Sequence, residues 1–330
     1  MTSSGQRPIR LVRLANVYYT HTCLPKAAQF LEDFGLQPLD TKDDRNKVIY
    51  YRGTSAEPFV YRAQQGDSNA FGGAAFVVES FEDLEYASKT LPNASPILDL
   101  MEDESNGAPG VPGGGLCVKF TDPVDGIPFR LVFGQKESDV EQSLPELSYN
   151  YPTEKHRPGN ATQRFKQGPA PVHKLGHFGL CVTDFARLYD FFTTRFNLKA
   201  SDLVHDAKGR DITAFLHLDR GKELVDHHTF FLFEGPEWHV HHSSFETHDF
   251  DTQLLGHHWL REKGYKNCWG VGRHIMGSQV FDYWFDSSGF IVEHYVDGDL
   301  VDETHPTNRT LASPNNLHVW GPDLPEGFLE

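Results

Sequence analysis

Apolar residues follow two periods along this chain, and the change from one period to the other marks its predicted elements. Short runs rich in β-branched and aromatic residues predict strands, whereas apolar positions three or four apart predict amphipathic helices. In the first half, strands are predicted over residues 11–19, 47–51, 59–63, 73–78, 115–120 and 128–133, and helices over residues 25–34 and 81–91. The first helix has Pro25 in its first turn and Gly35 at its end, which are typical start and stop signals.

The second half repeats this order of elements. Strands are predicted over residues 171–182, 211–217, 229–234, 238–245, 278–285 and 290–296, and helices over residues 184–196 and 250–263. The sequence LANV at 14–17 corresponds to LGHF at 175–178, and GIPFR at 126–130 corresponds to GFIVE at 289–293. Because such a repeat decides the fold, we expect an α+β protein of four βαβββ modules, arranged as two similar domains. Each domain would be a cupped mixed sheet flanked by helices.

Composition narrows the possible partners and the compartment. The formal net charge of −16 argues against nucleic acid and anionic membranes, both of which attract basic patches. No apolar run approaches the roughly 20 residues of a membrane span, and the N-terminus lacks the apolar stretch of a signal peptide. The four cysteines form no CxxC pair, which favours free thiols in a reducing compartment. We therefore expect a cytoplasmic protein without nucleic-acid or membrane partners.

One carboxylate stands out in the predicted hairpin near the end of the second half. The two strands, 278–285 and 290–296, are joined by the turn-forming sequence DSSG. Glu293 lies in the middle of the second, apolar strand. An ionised carboxylate is rarely placed there unless it is paired or bound to a metal, although the wet face of an ordinary hairpin is an equally good interpretation from this stretch alone.

The repeat supplies partners for this carboxylate. Where the second half has His177 and Glu293, the first half has Asn16 and Arg130, which are poor ligands or none for a transition metal. His242 occupies the slot of His177 in the following module, while strand alternation should send its neighbour His241 to the opposite face. Two histidines and one carboxylate on a cupped sheet form a facial set with open positions, as in non-haem Fe(II) oxygenases. A metal site is therefore expected only in the second half.

Four motifs surround the candidate ligands of the second half: LGHFGL at 175–180, DHHTFFLF at 226–233, VHHSSF at 240–245, and GRH with FDYW and GFIVEHY between 272 and 295. They resemble the motifs of type I extradiol ring-cleaving dioxygenases of the vicinal oxygen chelate (glyoxalase/bleomycin resistance) superfamily, the catechol 2,3-dioxygenase and dihydroxybiphenyl dioxygenase group. It is weak in the first half and strong from about residue 171 to 299.

The resemblance implies the role of each site residue. His177, His242 and Glu293 would be the ligands of Fe(II), although the same set also accepts Mn(II). His228 would be the catalytic histidine, which at a pKa near neutrality donates a proton as the O–O bond breaks. His274 and Tyr283 would hold the deprotonated oxygen of the substrate. The expected partners are a small aromatic diol of catechol or hydroquinone type and O₂.

The repeat and the resemblance together set the expected domains. Residues 1–134 would form an N-terminal domain that binds no metal, and residues 135–170 a polar connector. Residues 171–303 would form the catalytic, metal-binding domain, followed by a tail at 304–330. The tail could close the active site or pack across a subunit interface, and we expect a homo-oligomer. Candidate pocket walls lie close in sequence to the expected site residues: Val172 or His173, Phe178, Phe230 and Ile275.

Other functions on the same scaffold stay open at this point. A 4-hydroxyphenylpyruvate-type dioxygenase would use the same two histidines and glutamate, but His228, His274 and Tyr283 together favour catechol chemistry. A glyoxalase-like isomerase would need four protein ligands, and Asn16 and Arg130 count against the fourth. A metal-free metabolite-binding protein would have no reason to gather these polar residues around one cavity.

Overall fold

The computed structural model describes residues 7–40, 47–101, 110–139, 144 and 147–329. Parts of the predicted connector, residues 140–143 and 145–146, lie outside the described residues, as do residues 1–6, 41–46 and 102–109 of the predicted first domain and Glu330 of the predicted tail.

The first half contains two modules with the element order βαβββ. The first module comprises β1 (Leu11–His21), α1 (Leu24–Phe34), β2 (Gln37–Pro38), β3 (Val48–Arg52) and β4 (Tyr61–Gln65). The second comprises β5 (Ala70–Val78), α2 (Phe81–Thr90), β6 (Leu98–Asp99), β7 (Leu116–Thr121) and β8 (Pro128–Phe133).

The second half contains two more modules of the same order and several additional strands. The third module comprises β9 (Val172–Val182), α3 (Phe185–Arg195), β10 (Leu198–His205), β11 (Asp211–Leu218) and β13 (Phe230–Glu234), with the short β12 (Val225–Asp226) inserted. The fourth comprises β14 (His239–Thr247), α4 (Phe250–Glu262), β15 (Asn267–His274), β16 (Val280–Phe285) and β17 (Ile291–Val296). Beyond it lie β18 (Leu300–Val301), β19 (Asn308–Leu311), the 3-10 helix Pro314–Asn316 and β20 (His318–Trp320).

The modules pair in the same way in both halves. The first half forms an eight-stranded sheet of order β2-β3-β4-β1-β5-β8-β7-β6. The second forms a ten-stranded sheet of order β19-β10-β11-β13-β9-β14-β17-β16-β15-β20. In each sheet the first strands of two modules, β1 with β5 and β9 with β14, run antiparallel at the centre. The predicted α+β fold of four βαβββ modules is confirmed.

Local signals place the elements where the sequence predicts them. Helix α1 ends at Gly35, whose φ of +108° lies in the left-handed region that a residue with a Cβ avoids. Helices α3 and α4 begin at Asp184 and Asp249, whose carboxylates accept the backbone N–H three residues on. The turn between β16 and β17 is closed by Asp286, which accepts the backbone N–H of Ser288 and Phe290.

Aromatic and aliphatic side chains from both halves share one core. Phe71, Phe76 and Phe129 of the first half lie within 6.3 Å, between ring centroids, of Phe178 in β9. Polar contacts also join the halves, since Tyr19 Oη and Ser243 Oγ are 2.7 Å apart. Among the described helices, none has the length and apolar character needed to cross a bilayer.

The sequence missed some strands. The predicted strands of the second half do not include β10, β12 or β15. The segment after residue 303 is more than a tail, because β19 pairs with β10 and β20 pairs with β15, at opposite edges of the second sheet. The chain after β17 therefore wraps the sheet that carries the predicted site.

Candidate metal centre

His177, His242 and Glu293 lie on three neighbouring strands at the centre of the second sheet. Ser244 of β14 pairs with His177 of β9 on one side and with Glu293 of β17 on the other. His242 lies two residues before Ser244, on a face of β14 set by the strand's alternation. The pleat and the register therefore bring all three side chains to the same place.

The three side chains converge to within contact of one another. His177 Nε2 lies 3.1 Å from Glu293 Oε2 and 3.3 Å from His242 Nε2, and His242 Nε2 lies 3.3 Å from Glu293 Oε2. Ligand atoms that each lie about 2.1 Å from one ion, at right angles, are about 3 Å apart. Within the part of the chain that the structure describes, these residues form a group able to hold a metal ion.

The chemistry of this group also fits a cation. Glu293 is fully buried, and both of its carboxylate oxygens lack a hydrogen-bond partner among the described residues. A buried ionised carboxylate left in that state costs several kcal/mol. A divalent ion between the two imidazoles and the carboxylate would satisfy it, so the residues present fit a metal cofactor.

Burial and mutual contact set the protonation of the ligands. Burial raises the pKa of Glu293, but the imidazoles of His177 and His242 beside it outweigh burial and hold the pKa well below its ordinary value. Burial lowers the pKa of His242, with Glu293 opposing. The site at pH 7 therefore offers a charged carboxylate and a neutral His242 imidazole, the forms in which these groups bind metals.

His274 and Tyr283 form a hydrogen-bonded pair beside the ligands. His274 Nε2 lies 2.8 Å from Tyr283 Oη, and its Nδ1 lies 2.7 Å from the carbonyl oxygen of Leu317. Burial lowers the pKa of His274 to about 4 and raises the pKa of Tyr283 well above 10. Both groups are therefore neutral at pH 7. Since a carbonyl can only accept, Nδ1 of His274 carries the proton and Nε2 accepts from the Tyr283 hydroxyl.

His228 lies on the other side of the ligand group, just before β13. Its ring centroid is 4.2 Å from that of His177, and its side chain lines the same cavity. Burial, followed by the neighbouring His177 and His227, lowers the pKa of His228 well below its ordinary value. The expectation of a pKa near neutrality therefore does not hold for this structure. Five of the six predicted site residues line this cavity, and the sixth, Glu293, lies buried against His177 and His242.

The cavity at this site opens into a larger apolar pocket. The cavity itself has a volume of about 70 Å³ and the adjoining pocket about 360 Å³. Residues from β11, β13, the end of β15 and the C-terminal segment line both spaces: Phe215, Phe231, Met276, Leu317 and Leu329. The C-terminal segment, residues 312–329, thus forms one wall.

Three residues near the ligands, His241, Phe178 and Phe230, do not lie where the sequence predicted them. His241 does not face away from the site, because a register shift between Val240 and His242 leaves its Nδ1 only 2.7 Å from that of His242. Phe178 and Phe230 stack on each other in the core and do not line the cavity, and Phe231 takes that place. Because side chains alternate between the two faces of β13, either Phe230 or Phe231 had to face the cavity. The sequence does not show which face of the strand that is.

The corresponding position in the first half carries no metal group. Asn16 is fully buried in β1, and Arg130 of β8 lies with its guanidinium 3.7 Å from the ring centroid of Tyr18 and donates to the carbonyl of Gly72. Strand β8 runs parallel to β5 as β17 runs parallel to β14, so the pairing of Arg130 with Glu293 inferred from the repeat agrees with the topology.

Comparison with known proteins finds similarity to one superfamily and to two dioxygenases. Residues 174–294 match the model of the Glyoxalase/Bleomycin resistance protein/Dioxygenase superfamily. The chain is 30% identical to Metapyrocatechase 2 of Cupriavidus necator over 217 residues, which are 64% of this chain and 62% of that protein. The match thus spans somewhat less than two thirds of that relative's length. Identity to Biphenyl-2,3-diol 1,2-dioxygenase of Paraburkholderia xenovorans (strain LB400) is 25% over 262 residues, 78% of each chain.

A solved structure shares the fold over almost the whole chain. It is a substrate complex of Homoprotocatechuate 2,3-Dioxygenase from Brevibacterium fuscum, with a TM-score of 0.78. At 18% identity, over 98% of this chain and 93% of the other, the likeness concerns the fold. The family resemblance predicted from the motifs is confirmed by these matches.

Proposed function

We propose that this chain, whose residues 174–294 match the model of the Glyoxalase/Bleomycin resistance protein/Dioxygenase superfamily, is a metal-dependent extradiol dioxygenase. It would open a catechol-type or hydroquinone-type ring next to its hydroxyl groups and incorporate both atoms of O₂. The observation that carries the proposal is the convergence of His177, His242 and Glu293 beside one cavity, which His228, His274 and Tyr283 also line. The names of the curated relatives agree with this activity.

His177, His242 and Glu293 would hold the metal, for which we propose Fe(II), with Mn(II) as the alternative that the same ligands accept. When bound, the ion supplies open positions for the substrate and O₂, lowers the cost of deprotonating the diol, and provides redox chemistry. Neutral imidazoles and a single carboxylate leave a positive charge on the loaded site, which favours binding of the diol as an anion.

Tyr283 and His274 provide a route for the substrate's proton. Because Tyr283 donates to His274 Nε2, its oxygen has a lone pair free to accept from a substrate hydroxyl. A proton passed to Tyr283 Oη can be matched by transfer of the tyrosine proton to His274 Nε2. His274 is held for this role by the carbonyl of Leu317.

His228 faces the substrate space from the side of β13. With one ring nitrogen engaged by His227 at 3.1 Å, the other is left for the cavity, where it can take up and return a proton during ring opening. General acid–base catalysis of this kind contributes about 10²–10⁴-fold to a rate.

For the substrate, we propose a diol with an uncharged, apolar substituent. The 360 Å³ pocket beside the cavity is lined mainly by aliphatic and aromatic side chains. Among the described residues that line it, Glu234 is the only charged one, and none is a lysine or arginine. A carboxylated substituent would therefore find no cationic partner, whereas an alkyl or aryl group would be desolvated favourably.

The competing functions fit the site less well. A glyoxalase-like isomerase needs a fourth protein ligand, and the metal-binding group among the described residues has three members. A metal-free binding protein would leave the buried carboxylate of Glu293 without a partner.

The activity test uses protein purified without oxygen and loaded with Fe(II) or Mn(II). Oxygen uptake and formation of a coloured ring-opened product are followed over a panel of catechols and hydroquinones. His228→Ala should retain metal and substrate binding but lose about 10²-fold or more in kcat. Absence of O₂ consumption on every dihydroxylated ring would refute the proposal.

The proposed preference for apolar substituents is tested by a substitution that narrows the apolar pocket. Thr213 lines the pocket but not the cavity at the ligands, so Thr213→Phe should fill the pocket alone. The variant should raise KM for diols with apolar substituents at least tenfold and leave unsubstituted catechol nearly unchanged. Equal effects on both substrates would contradict this assignment.

A further inference from the structure

A buried chain of polar side chains leads away from His228 on the side opposite the cavity. His228 Nδ1 lies 3.1 Å from His227 Nδ1, and His227 Nε2 lies 2.8 Å from Asp202 Oδ2. All three side chains are nearly inaccessible, with 3%, 3% and 5% of their surface exposed. The motifs in the sequence give no role to His227 or Asp202.

With His227 neutral, hydrogen-bond chemistry sets the position of each proton along this chain. The Asp202 carboxylate can only accept, so His227 donates to it from Nε2–H. A neutral His227 then has a bare Nδ1, which must accept from Nδ1–H of His228. His228 is left with its lone pair on Nε2, the nitrogen available to the cavity. The order of donors thus turns His228 into a proton acceptor on the substrate side.

The ring of His227 is held in place from several sides. Its backbone N–H donates to the carbonyl of Asp299 at 2.9 Å, and its carbonyl accepts from Ser201 Oγ at 2.6 Å. Gly277 packs so closely that a Cβ there would lie 3.0 Å from His227 Nδ1. These contacts restrict the ring to the orientation that links Asp202 to His228.

We propose that His227 and Asp202 are positioning residues that set the tautomer and orientation of His228, so that Nε2 of His228 enters the reaction as a proton acceptor. The use of that proton rests on the proposed dioxygenase function, but the tautomer does not. A proton taken by Nε2 makes a doubly protonated His228, whose Nδ1–H remains bonded to His227, and the negative charge of Asp202 stabilises the positive charge through His227. Returning the proton to the product restores the starting tautomer.

Two replacements of His227 each remove one of its two side-chain hydrogen bonds, the one to Asp202 or the one to His228. In His227→Asn, the amide oxygen takes the position of Nδ1 and can still accept from His228, but Asp202 loses its donor. In His227→Gln, the amide nitrogen can reach towards Asp202 in place of Nε2, but the acceptor for His228 is lost. The two variants remove opposite ends of the same chain.

The first readout is the tautomer of His228 in the full-length metal-free protein. Two-bond ¹⁵N–¹H correlation spectra of histidine-labelled protein distinguish the two neutral tautomers, and the His228 signals are assigned by their loss in His228→Gln. Wild type and His227→Asn should show the proton on Nδ1, and His227→Gln should not. The proposal is overturned if wild type carries the proton on Nε2, or if the two variants give the same tautomer.

The second readout is the split between kcat and KM for an active diol. His227→Gln should lower kcat about 10²-fold with little change in KM, while His227→Asn should lose less than about tenfold. Equal kcat values for the two variants would overturn the positioning role. If no diol is turned over at all, the proposed function fails, while the spectra still decide the tautomer.

A matched control comes from another buried histidine–aspartate pair. His257 Nδ1 lies 2.9 Å from Asp282 Oδ1 and does not line the cavity. Replacing His257 with Asn or Gln breaks a similar pair and measures the general loss of stability. These variants should leave the His228 tautomer unchanged, and a change there would show that the effect is not specific to His227.

Discussion

Glu293 is a fully buried carboxylate, and a cation held with its two imidazole neighbours would bind the oxygens that have no hydrogen bond among the described residues. Its neighbours are the imidazoles of His177 and His242, at 3.1 and 3.3 Å. The sequence alone could not decide between a ligand and a carboxylate on a wet face, because the exposure of a strand's face depends on what packs against it. Full burial of the side chain removes the second interpretation.

Glu293→Gln should therefore remove the stabilisation that metal binding gives. Each protein is compared with its own metal-free form, so that any effect of the substitution on the metal-free fold cancels. Metal at 100 times its Kd should stabilise wild type by about 2.7 kcal/mol and the variant hardly at all. Thermal unfolding with and without Fe(II) under anaerobic conditions measures both effects.

Glu246→Gln is the matched control for this experiment. Glu246 lies in β14 and pairs with Lys174 at 3.4 Å, away from the ligand group. It should keep the full metal-dependent shift. A metal-dependent shift of wild-type size in Glu293→Gln would contradict the ligand assignment.

Tyr283→Phe should retain the metal but lose most turnover. The substitution removes the hydroxyl that donates to His274 Nε2 and breaks the route from the substrate to that histidine. We expect kcat to fall about 10²-fold at unchanged metal content. Tyr265→Phe, which removes a hydroxyl bonded to Asp33 away from the site, should leave kcat unchanged. Full activity of Tyr283→Phe would exclude this role.

At the scale of elements, the sequence predicted the strands that carry the ligands and missed the segments that enclose them. Strands β9, β14 and β17 have strong apolar patterns and fall within a few residues of the prediction. The chain from residue 312 to 329 has few apolar residues in any period, and its position depends on distant partners. The indole of Trp269 donates to the carbonyl of Pro322, and His241 Nε2 lies 2.6 Å from that of Phe328.

Phe328→Ala should release this C-terminal segment without unfolding the sheet. Phe328 packs against Trp269, Tyr283 and His241, with ring centroids 4.7 to 5.1 Å apart. A buried Phe→Ala substitution lowers the free energy of unfolding by about 3–5 kcal/mol. At a chain end the loss is limited to the free energy that holds the segment on the sheet, because the segment can detach while the rest of the fold stays intact. Amide hydrogen exchange should therefore speed up over residues 312–329 alone, with a raised KM for apolar diols. Unchanged exchange in that segment would contradict its closing role.

At the scale of the whole molecule, the two halves share one architecture, and the group of His177, His242 and Glu293 lies in the second half. The repeat made this division visible in the sequence, because Asn16 and Arg130 stand where the second half has His177 and Glu293. What the sequence could not show is the second layer of polar contacts. His227 and Asp202 are far apart in the chain, and only the pairing of β10, β11 and β13 brings them together.

The whole molecule should also lose stability in mild acid, because it buries histidines away from the site. His217 is an example, since burial, followed by nearby Lys199, lowers its pKa to about 4 from an ordinary 6.5. Between those values the unfolded chain binds a proton that the folded chain does not, so stability falls as the pH falls from 6.5 to 4. The contribution is at most about 1.4 kcal/mol per pH unit for each such group.

Denaturant unfolding at several pH values tests this expectation. His217→Asn should flatten the fall in stability between pH 6.5 and 4.5 relative to wild type. His21 is less suitable for this test, although burial also lowers its pKa to about 4. Burial raises the pKa of the neighbouring Asp286 to about 6, so protonation of Asp286 in mild acid offsets the destabilisation by His21. An unchanged slope in His217→Asn would show that this histidine is already protonated in the folded protein.

The central claim is that this site inserts both atoms of O₂ into a ring beside its hydroxyl groups. Mass spectrometry of the product formed under ¹⁸O₂ by the Fe(II)-loaded protein, with an apolar-substituted catechol, tests it most directly. A ring-opened product with two labelled oxygen atoms, absent with Glu293→Ala, is the predicted result. An isomerised or unlabelled product, or the same labelled product from Glu293→Ala, would contradict the account.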